Sequence, residues 1–359
     1  MTFGLTTAGS PPAAAGEGLR RYVIWSPQGL PARTGKEIEK IDGTRATPVI
    51  MGLDWLMRSY DRAGNKIDDL PEGYGYPFEM TVVNPAAYKR FVPADQAEVV
   101  ARLEPGQALI SRSEAKLRDH DGPLRLGLRS GGVNAVAVVS DAVTNGYEAI
   151  MAAPAPDWKY RMRYFLVQTP ATTSRDELRE AVARVAGDIP LGLRSNTQVP
   201  HLRYAPGVRP QVAFKRAFGE FPARPASSGS LSILGRWVSR HIRTESVPVL
   251  GRVTCHRKFF AQLREAFEEL NRRGLGHLVR EYSGCYNARF VATPAGIRLS
   301  RHTWGIAFDI NSSNNQFGAE PRQDPRLVKI MRDHGMVWGG DWVVPDGMHF
   351  EWDRLPEPH

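Results

Sequence analysis

The sequence contains few cysteines and no long apolar run, and these absences exclude several classes of protein. Two cysteines in 359 residues are too few for a disulfide-rich miniprotein. No stretch reaches the roughly 18 consecutive apolar residues of a membrane span, so we predict no transmembrane segment. The 34 glycines and 27 prolines follow no period, which excludes a collagen-like chain. Because 42% of the residues are hydrophobic, extensive disorder is excluded as well.

A leader sequence and a surplus of acidic residues are also lacking. Residues 1–21 contain no basic segment followed by an apolar one, so no signal peptide is predicted. We expect an extracytoplasmic protein, secreted or associated with the cell wall, if a leader is missing from this chain, and a cytoplasmic protein otherwise. The 47 Lys+Arg against 38 Asp+Glu give a net charge of +9, which fits an anionic partner such as DNA, acidic lipid or the anionic cell wall. No finger or recognition-helix motif supports nucleic acid, so we expect no nucleic-acid partner.

The chain length and local composition predict two or three domains. We expect a flexible lead at 1–20, a β-rich α+β region at 21–222 with room for two subdomains, a linker at 223–230 and an α+β domain at 231–359. Short β-branched and aromatic segments predict strands at Met80–Val83, Gln107–Ser111, Ala135–Ser140 and Tyr164–Thr169. Ser174 and Glu177 form a capping-box pattern that opens a helix. In the same region, a basic face could be formed by Arg112, Lys116, Arg118, Arg125 and Arg129.

The last 130 residues have the clearest secondary-structure pattern. Apolar residues at helical spacing predict an amphipathic helix from His256 to Arg273, which ends at Gly274. Asp324 followed by Pro325 predicts the start of a second helix. Short strands are predicted at Gly305–Ile310, Met336–Trp338 and Met348–Trp352. These elements predict an α+β domain.

Two histidines and three aspartates lie in the glycine-punctuated, Trp-flanked segments 299–311 and 338–352. A catalytic Zn²⁺ takes three protein ligands and leaves one position open, and His302, Asp309 and His349 would supply such a set. Asp346 would then hold a water molecule as general base.

A single histidine is more often an ordinary surface or core residue, and non-haem iron also uses two histidines and a carboxylate. The His-x-Asp pairing of such iron sites is absent, however, and no Gly-x-Ser-x-Gly elbow supports a serine hydrolase.

The two segments resemble a known family. The residues that carry the resemblance are Ser300, His302, Gly305, Ala307 and Asp309, followed by Asp346, His349, Phe350 and Glu351. The order and spacing of these residues resemble the motifs of the zinc D-alanyl-D-alanine carboxypeptidase family. That family includes VanY-type enzymes and the L-alanyl-D-glutamate endopeptidases of phage endolysins. The segment from Gly284 to Arg289 resembles a third motif of these enzymes. The similarity extends over residues 247–352, under a third of the chain.

The resemblance implies a small α+β domain of the hedgehog or D-Ala-D-Ala peptidase type, in which an antiparallel sheet carries Zn²⁺. It implies that His302, Asp309 and His349 bind the zinc and that Asp346 moves a proton from water to the leaving amine. The implied reaction is hydrolysis of peptidoglycan stem peptides. We separately expect the protein to be a monomer. The alternative is a non-catalytic zinc-binding module of the same fold that recognises the cell wall or a partner.

The resemblance also suggests how substrate is bound. Arg289 would contact a substrate carboxylate, because a guanidinium binds a carboxylate with two hydrogen bonds. Ser300 is a second candidate for substrate binding, or caps the loop before His302. Asn287 stands where some carboxypeptidases have Arg, so carboxypeptidase and endopeptidase activity both stay open.

Several residues near the motifs have more than one interpretation. Cys255 and Cys285 suit a disulfide that ties the first helix to the site if the compartment is oxidising, and two buried thiols if it is not. A structural zinc site with His256 is a third option, although the cysteine spacing is far from a zinc-finger pattern. Glu351 is a strand residue or a partner of a ligand histidine. Four tryptophans are expected in the core, or lining a substrate groove: Trp304, Trp338, Trp342 and Trp352.

Overall fold

The computed structural model describes residues 18–158, 161–204, 209–291 and 298–355. Most of the predicted lead at 1–20 therefore lies outside the described residues. The chain divides into two compact units. Unit 1 comprises residues 1–54, 59–68 and 79–210, and unit 2 comprises residues 55–58, 69–78 and 211–359. Over the ranges that the structure describes, no helix has the length and apolar character needed to cross a membrane.

The first part of the chain is rich in short strands. Its strands are β1 (Leu19–Trp25), β2 (Arg45–Tyr60), β3 (Lys66–Asp69), β4 (Tyr76–Val83), β5 (Gln107–Ser111), β6 (Leu124–Leu128), β7 (Gly131–Val139), β8 (Ala149–Ala152), β9 (Arg161–Pro170) and β10 (Gly192–Ser195). Its helices are α1 (Thr34–Ile38), α2 (Pro85–Tyr88), α3 (Ala97–Ala101), α4 (Arg112–Leu117) and α5 (Arg175–Ala186). The prediction of a β-rich region is confirmed.

These strands form one mixed sheet in the order β10-β1-β9-β2-β4-β8-β5-β7-β6, with β3 beside β2. Strand β6 also pairs with β2, so the six strands β2, β4, β8, β5, β7 and β6 form a closed ring of pairings. The β4–β8 and β5–β7 pairs are parallel, whereas β5–β8 and β6–β7 are antiparallel. Closure of this kind leaves those six strands without a free edge, which protects them from pairing with other chains.

Helix α5 packs its apolar side onto one part of this sheet. Leu178 and Val182 of α5 lie in a buried cluster with Tyr22, Ile24 and Phe165 of the sheet. The helix begins with the predicted capping box: the backbone N–H of Glu177 donates to the side chain of Ser174, and the Glu177 carboxylate accepts from the backbone N–H of Ser174. The box pairs two amides that a helix start would otherwise leave unsatisfied.

One residue of the basic face predicted in this region, Arg118, is buried and does not belong to the surface. Arg118 is only 5% exposed, and its guanidinium donates to Glu114 and Asp68 at 2.7 and 3.1 Å. A buried guanidinium requires such partners, because an unpaired charge away from water is costly. Arg118 is therefore an internal structural residue.

The second part of the chain contains the remaining elements. Its helices are α6 (Gln211–Phe218), α7 (Gly235–His241), α8 (Phe260–Arg272) and α9 (Pro325–Asp333). Its strands are β11 (Ala223–Pro225), β12 (Leu231–Ile233), β13 (Ile242–Val247), β14 (Gly251–His256), β15 (Tyr282–Gly284), β16 (Ala307–Ile310), β17 (Met336–Trp338) and β18 (His349–Trp352). The segment 223–230 includes β11 and a turn of 3-10 helix, and a domain boundary there stays a prediction.

A four-stranded antiparallel sheet organises the C-terminal region. Its strand order is β15-β16-β18-β17, and the register places Asp309 of β16 opposite His349 of β18. Stacked aromatic rings fill the core beside it, such as Phe308 on Phe350 and Phe259 on Trp352. The small antiparallel sheet and the α+β class predicted for this region are confirmed.

Helices α8 and α9 supply the helical part of this core. The apolar residues that predicted this helix are buried in α8, namely Phe260, Leu263, Phe267 and Leu270, and Ala266 is buried with them. In α9 the Asp324 side chain accepts from the backbone N–H of Arg326, and Pro325 occupies the first turn as predicted. A disulfide joins Cys255, at the end of β14, to Cys285, which follows β15.

Candidate metal centre

His302 lies in a single turn of 3-10 helix, Arg301–Trp304, whose ends are tightly defined. Ser300 precedes the turn and its Oγ accepts from the backbone N–H of His302 at 3.3 Å. Gly305 ends the turn with φ +67°, and a Cβ there would lie 2.7 Å from the backbone N of His256. Both the backbone conformation and the close approach therefore require glycine at this position.

Asp309 and His349 are positioned by the pairing of β16 with β18. Because they are opposite each other in the register, their side chains leave the same face of the sheet. His302 enters from the preceding turn, so all three predicted ligand residues meet at one place. Nε2 of His302 lies 3.2 Å from Asp309 Oδ1 and 3.2 Å from His349 Nδ1, and the latter lies 3.1 Å from Asp309 Oδ1.

The three ligand atoms lie within 4.8 Å of one another, and this His-Asp-His group could hold a metal ion. All three residues are largely shielded from water; the two histidines are 2% and 5% exposed. Two histidines and one carboxylate are a common donor set for catalytic Zn²⁺.

The outer nitrogen of each imidazole is engaged by a hydrogen bond. The Nδ1–H of His302 donates to the backbone carbonyl of Cys285 at 2.6 Å. The Nε2–H of His349 donates to the carboxylate of Glu351 at 3.2 Å. Such outer contacts fix the tautomer and the ring orientation of a metal-binding histidine. When the outer nitrogens carry the ring protons, the inner nitrogens face each other and Asp309 with lone pairs, and a proton or a metal ion between them would stabilise the arrangement.

Protons compete with a metal ion for this position. Burial alone would lower the pKa of His349, but the hydrogen bonds and charges of Asp309 and Glu351 raise it to about 10. Burial would likewise raise the pKa of Asp309, but hydrogen bonds from His302 and His349 hold it well below its ordinary value. The site thus favours positive charge, which either bound protons or a metal ion can supply.

Asp346 lies on the loop just before β18 and carries an unsatisfied oxygen. Its Oδ1 is buried and has no hydrogen-bond partner among the described residues. Burial raises the pKa of this carboxyl group above its ordinary value, and the charges of the neighbouring His349, Asp309, His302 and Arg289 act on it as well. A Cβ at Gly339 would lie 2.5 Å from the backbone O of Asp346, so glycine is needed there.

Arg289, Ser300 and Asn287 surround the His302 turn. The backbone N–H of Arg289 donates to Thr303 Oγ1 at 3.1 Å, and its guanidinium donates to the backbone carbonyl of Phe290 at 3.4 Å. Ser300 is 5% exposed and caps the turn before His302, which was one of the two roles considered for it. Asn287 is exposed and its backbone N–H donates to the carbonyl of His302 at 3.0 Å. Substrate contacts of Arg289 and Ser300 stay predictions.

The tryptophans divide between the core and the site. Trp304 and Trp352 are 1% and 8% exposed and belong to the core. The ring of Trp342 lies 5.2 Å from the ring of His349, and its Nε1 is buried with no partner among the described residues. The carbonyl of Cys285 could not have been identified from the sequence, since any residue supplies a backbone carbonyl. For the contact of Trp342 with His349, the sequence offered one weak indication, which is the position of Trp342 in the Gly-Gly-Asp-Trp segment.

Comparison with known proteins supports a peptidase in the C-terminal part of the chain. Residues 294–352 match the family model described as D-alanyl-D-alanine carboxypeptidase, which confirms the resemblance drawn from the motifs. A search of curated proteins finds no match. Among solved structures, a domain described as part of a permease from Porphyromonas gingivalis is 16% identical. It covers 53% of this chain and 92% of its own, with a TM-score of 0.31.

Proposed function

We propose that residues 231–359 form a zinc peptidase with the hedgehog or D-Ala-D-Ala peptidase fold, acting on the stem peptides of peptidoglycan. The observation that carries the proposal is the meeting of His302 Nε2, Asp309 and His349 Nδ1 with both outer nitrogens engaged. The match of residues 294–352 to the carboxypeptidase family supports the reaction class.

The residues present fit a catalytic zinc site. Three protein ligands leave one coordination position open, which distinguishes catalytic from structural zinc. His302, Asp309 and His349 would hold the zinc ion, which would supply Lewis acidity that lowers the pKa of water toward about 7 and polarises a carbonyl group. The buried, unpartnered oxygen of Asp346 supports this choice. A purely structural site would have no use for an acidic group held free in this way.

Asp346 serves as the proton carrier of the reaction. As a carboxylate it accepts a proton from the attacking water, and it then donates that proton to the leaving amine of the peptide. Its raised pKa, caused by burial, brings it closer to the pH at which such a transfer is efficient. Glu351 and the carbonyl of Cys285 keep the two imidazoles in the required tautomers.

Arg289 binds a carboxylate of the substrate, and Ser300 supports the same loop. The charge of Arg289 is one of those that lower the pKa of Asp346, which supports a place for this guanidinium near the site. Asn287 takes the place of an arginine found in some carboxypeptidases. Release of terminal D-Ala and cleavage of an internal bond are therefore both open to this site.

The proposal places the protein outside the cytoplasm, where its substrate lies. The Cys255–Cys285 disulfide supports this location, because disulfides persist in oxidising compartments. We further propose that the chain acts as a monomer and that residues 21–222 position the peptidase at the wall. The net charge of +9 supports attraction to an anionic wall.

The proposal is tested by measuring metal-dependent hydrolysis. The full chain is stripped with a chelator, reloaded with one equivalent of zinc and incubated with soluble peptidoglycan fragments. Hydrolysis that is absent from the stripped protein and restored by zinc is the expected result. Zinc binding with no hydrolysis of any fragment would instead support the non-catalytic module. Hydrolysis that persists without metal would contradict the proposal.

A further inference from the structure

A cluster of unpaired cations lies in unit 2 on elements that the metal centre does not use. Residues 234–258 contain six Lys+Arg and one acidic residue, Glu245. That glutamate is already paired with Arg264 of α8. The cations Arg236, Arg240 and Arg257 are exposed, and no ion pair is found for them among the described residues.

The fold brings these cations together. Strand β13 pairs antiparallel with β14, so Ile242 lies opposite His256. The end of α7 is thereby placed beside Arg257 and Lys258. On α7 itself, Arg236 and Arg240 are four residues apart and share one side of the helix. We call Arg236, Arg240, Arg243, Arg257 and Lys258 the cationic face.

Like charges are held together here by local contacts rather than by acidic partners. Arg243 donates to the carbonyls of Ser239 and Ile242 at 2.6 and 2.8 Å. Lys258 donates to the carbonyl of Ala217 at 2.9 Å. These carbonyls orient two of the charges but do not neutralise them, so the positive potential remains.

A stack of three aromatic rings lies beside the cationic face. His241 stacks on Trp237 and on His256, with ring centroids 5.0 and 5.3 Å apart. Nε1 of Trp237 and Nδ1 of His241 are buried, and neither has a hydrogen-bond partner among the described residues. Trp237 is 6% exposed. Burial, followed by the charges of the cationic face, lowers the pKa of His241 to about 4. A buried indole N–H without a partner, such as that of Trp237, retains the capacity to donate a hydrogen bond to an anion.

We propose that the cationic face binds a phosphodiester polymer at the cell surface. Guanidinium groups bind phosphate oxygens with two hydrogen bonds, and several of them side by side suit a chain of phosphates. The disulfide at Cys255, which lies opposite Arg243 in the β13–β14 register, favours a partner outside the cytoplasm over DNA. Helix α7 has seven residues, and the cations are spread over three elements rather than along one recognition helix. This binding does not depend on the peptidase activity.

The proposal is tested with poly(glycerol phosphate) as the probe and the full chain as the protein. Calorimetric titration at 50 and 200 mM salt compares the wild type with the double variant Arg240→Gln, Arg257→Gln. The matched control is Arg272→Gln, Arg322→Gln, which removes the same charge from exposed positions of unit 2 outside the cationic face. Thermal unfolding checks that each variant folds.

About four phosphate contacts predict a roughly 50-fold loss of wild-type affinity between the two salt concentrations. The Arg240, Arg257 variant should bind about tenfold more weakly at 50 mM salt and lose about half of the salt dependence. The control should stay within about twofold of the wild type. Equal weakening in variant and control would overturn the proposal, since net charge alone would then explain binding. Equal affinity for inorganic phosphate, or tighter binding of duplex DNA or acidic vesicles, would overturn it too.

Discussion

The Nε2 atom of His302 lies 3.2 Å from the Nδ1 atom of His349, and both nitrogens face the carboxylate of Asp309. The opposite nitrogen of each ring donates a hydrogen bond, to the carbonyl of Cys285 or to Glu351. Because the outer positions carry the ring protons, the inner ones are electron-pair donors. A proton or a metal ion between the rings stabilises this arrangement, and the predictions on zinc binding follow from it.

Removal of either histidine should abolish tight zinc binding. His302→Ala and His349→Ala each delete one of three donors, so we expect zinc affinity to fall on the order of a hundredfold or more. Competition with a chromophoric chelator measures the affinity. His277→Ala is the control, because this exposed histidine lies away from the site. Unchanged zinc affinity in both site variants would rule out this metal centre.

Glu351 should matter for zinc affinity although it is not a ligand. Glu351→Gln weakens the partner that holds His349 in its tautomer, so the zinc dissociation constant should rise about 10- to 100-fold. Glu269→Gln is the matched control, since Glu269 accepts from Nε2 of His334 at 2.6 Å, a similar pair outside the metal centre. If both variants bind zinc like the wild type, the contact of Glu351 with His349 has no role in metal binding.

The motifs and local patterns predicted much of the C-terminal region. The spacing from His302 to Asp309 and the later His349 identified the three residues that converge, and the apolar stripe of α8 was found as expected. The sequence could not reveal the closed ring of strands around β2. Its parallel pairs join segments far apart in the chain, and no local pattern encodes such partners. For the same reason Arg118 looked like a surface cation, although Asp68, fifty residues away, neutralises it in the interior.

Acid should destabilise the protein partly through His256. Burial, and then the neighbouring His241, lower the pKa of His256 from 6.5 to about 3. The unfolded chain therefore binds a proton more readily, so this stability is present above pH 6.5 and is lost as the pH falls toward 3. Urea unfolding at pH 7 and pH 4 measures the difference. We expect His256→Gln to lose less stability over this range than the wild type, by on the order of a few kcal/mol.

His277→Gln serves as the control for the acid experiment, because His277 is exposed. It should retain the pH dependence of the wild type. The free energy of unfolding could instead fall by the same amount in His256→Gln and in the wild type between the two pH values. Protonation of His256 would then make no contribution to acid destabilisation, and the prediction would be wrong.

Reduction of the disulfide should lower the stability of the C-terminal region. Cys255 and Cys285 are 30 residues apart, and a crosslink across such a loop contributes about 3–4 kcal/mol by restricting the unfolded chain. Urea unfolding with and without reductant gives the difference. The double variant Cys255→Ala, Cys285→Ala should be weakened to the same extent and should not respond to reductant. A wild type that is equally stable in both conditions would contradict this prediction.

The central claim is that a metal-holding triad works with Asp346 to hydrolyse peptidoglycan peptides. The most direct test is mass spectrometry of peptidoglycan fragments after incubation with zinc-loaded wild type or Asp346→Asn, each with its zinc content determined. We predict about one zinc per chain in both proteins and peptide cleavage by the wild type. Cleavage by Asp346→Asn should be slower by about 10²- to 10⁴-fold, because a proton carrier is lost while the ligands remain. Equal cleavage by the two proteins, or no cleavage by a fully zinc-loaded wild type, would contradict the account.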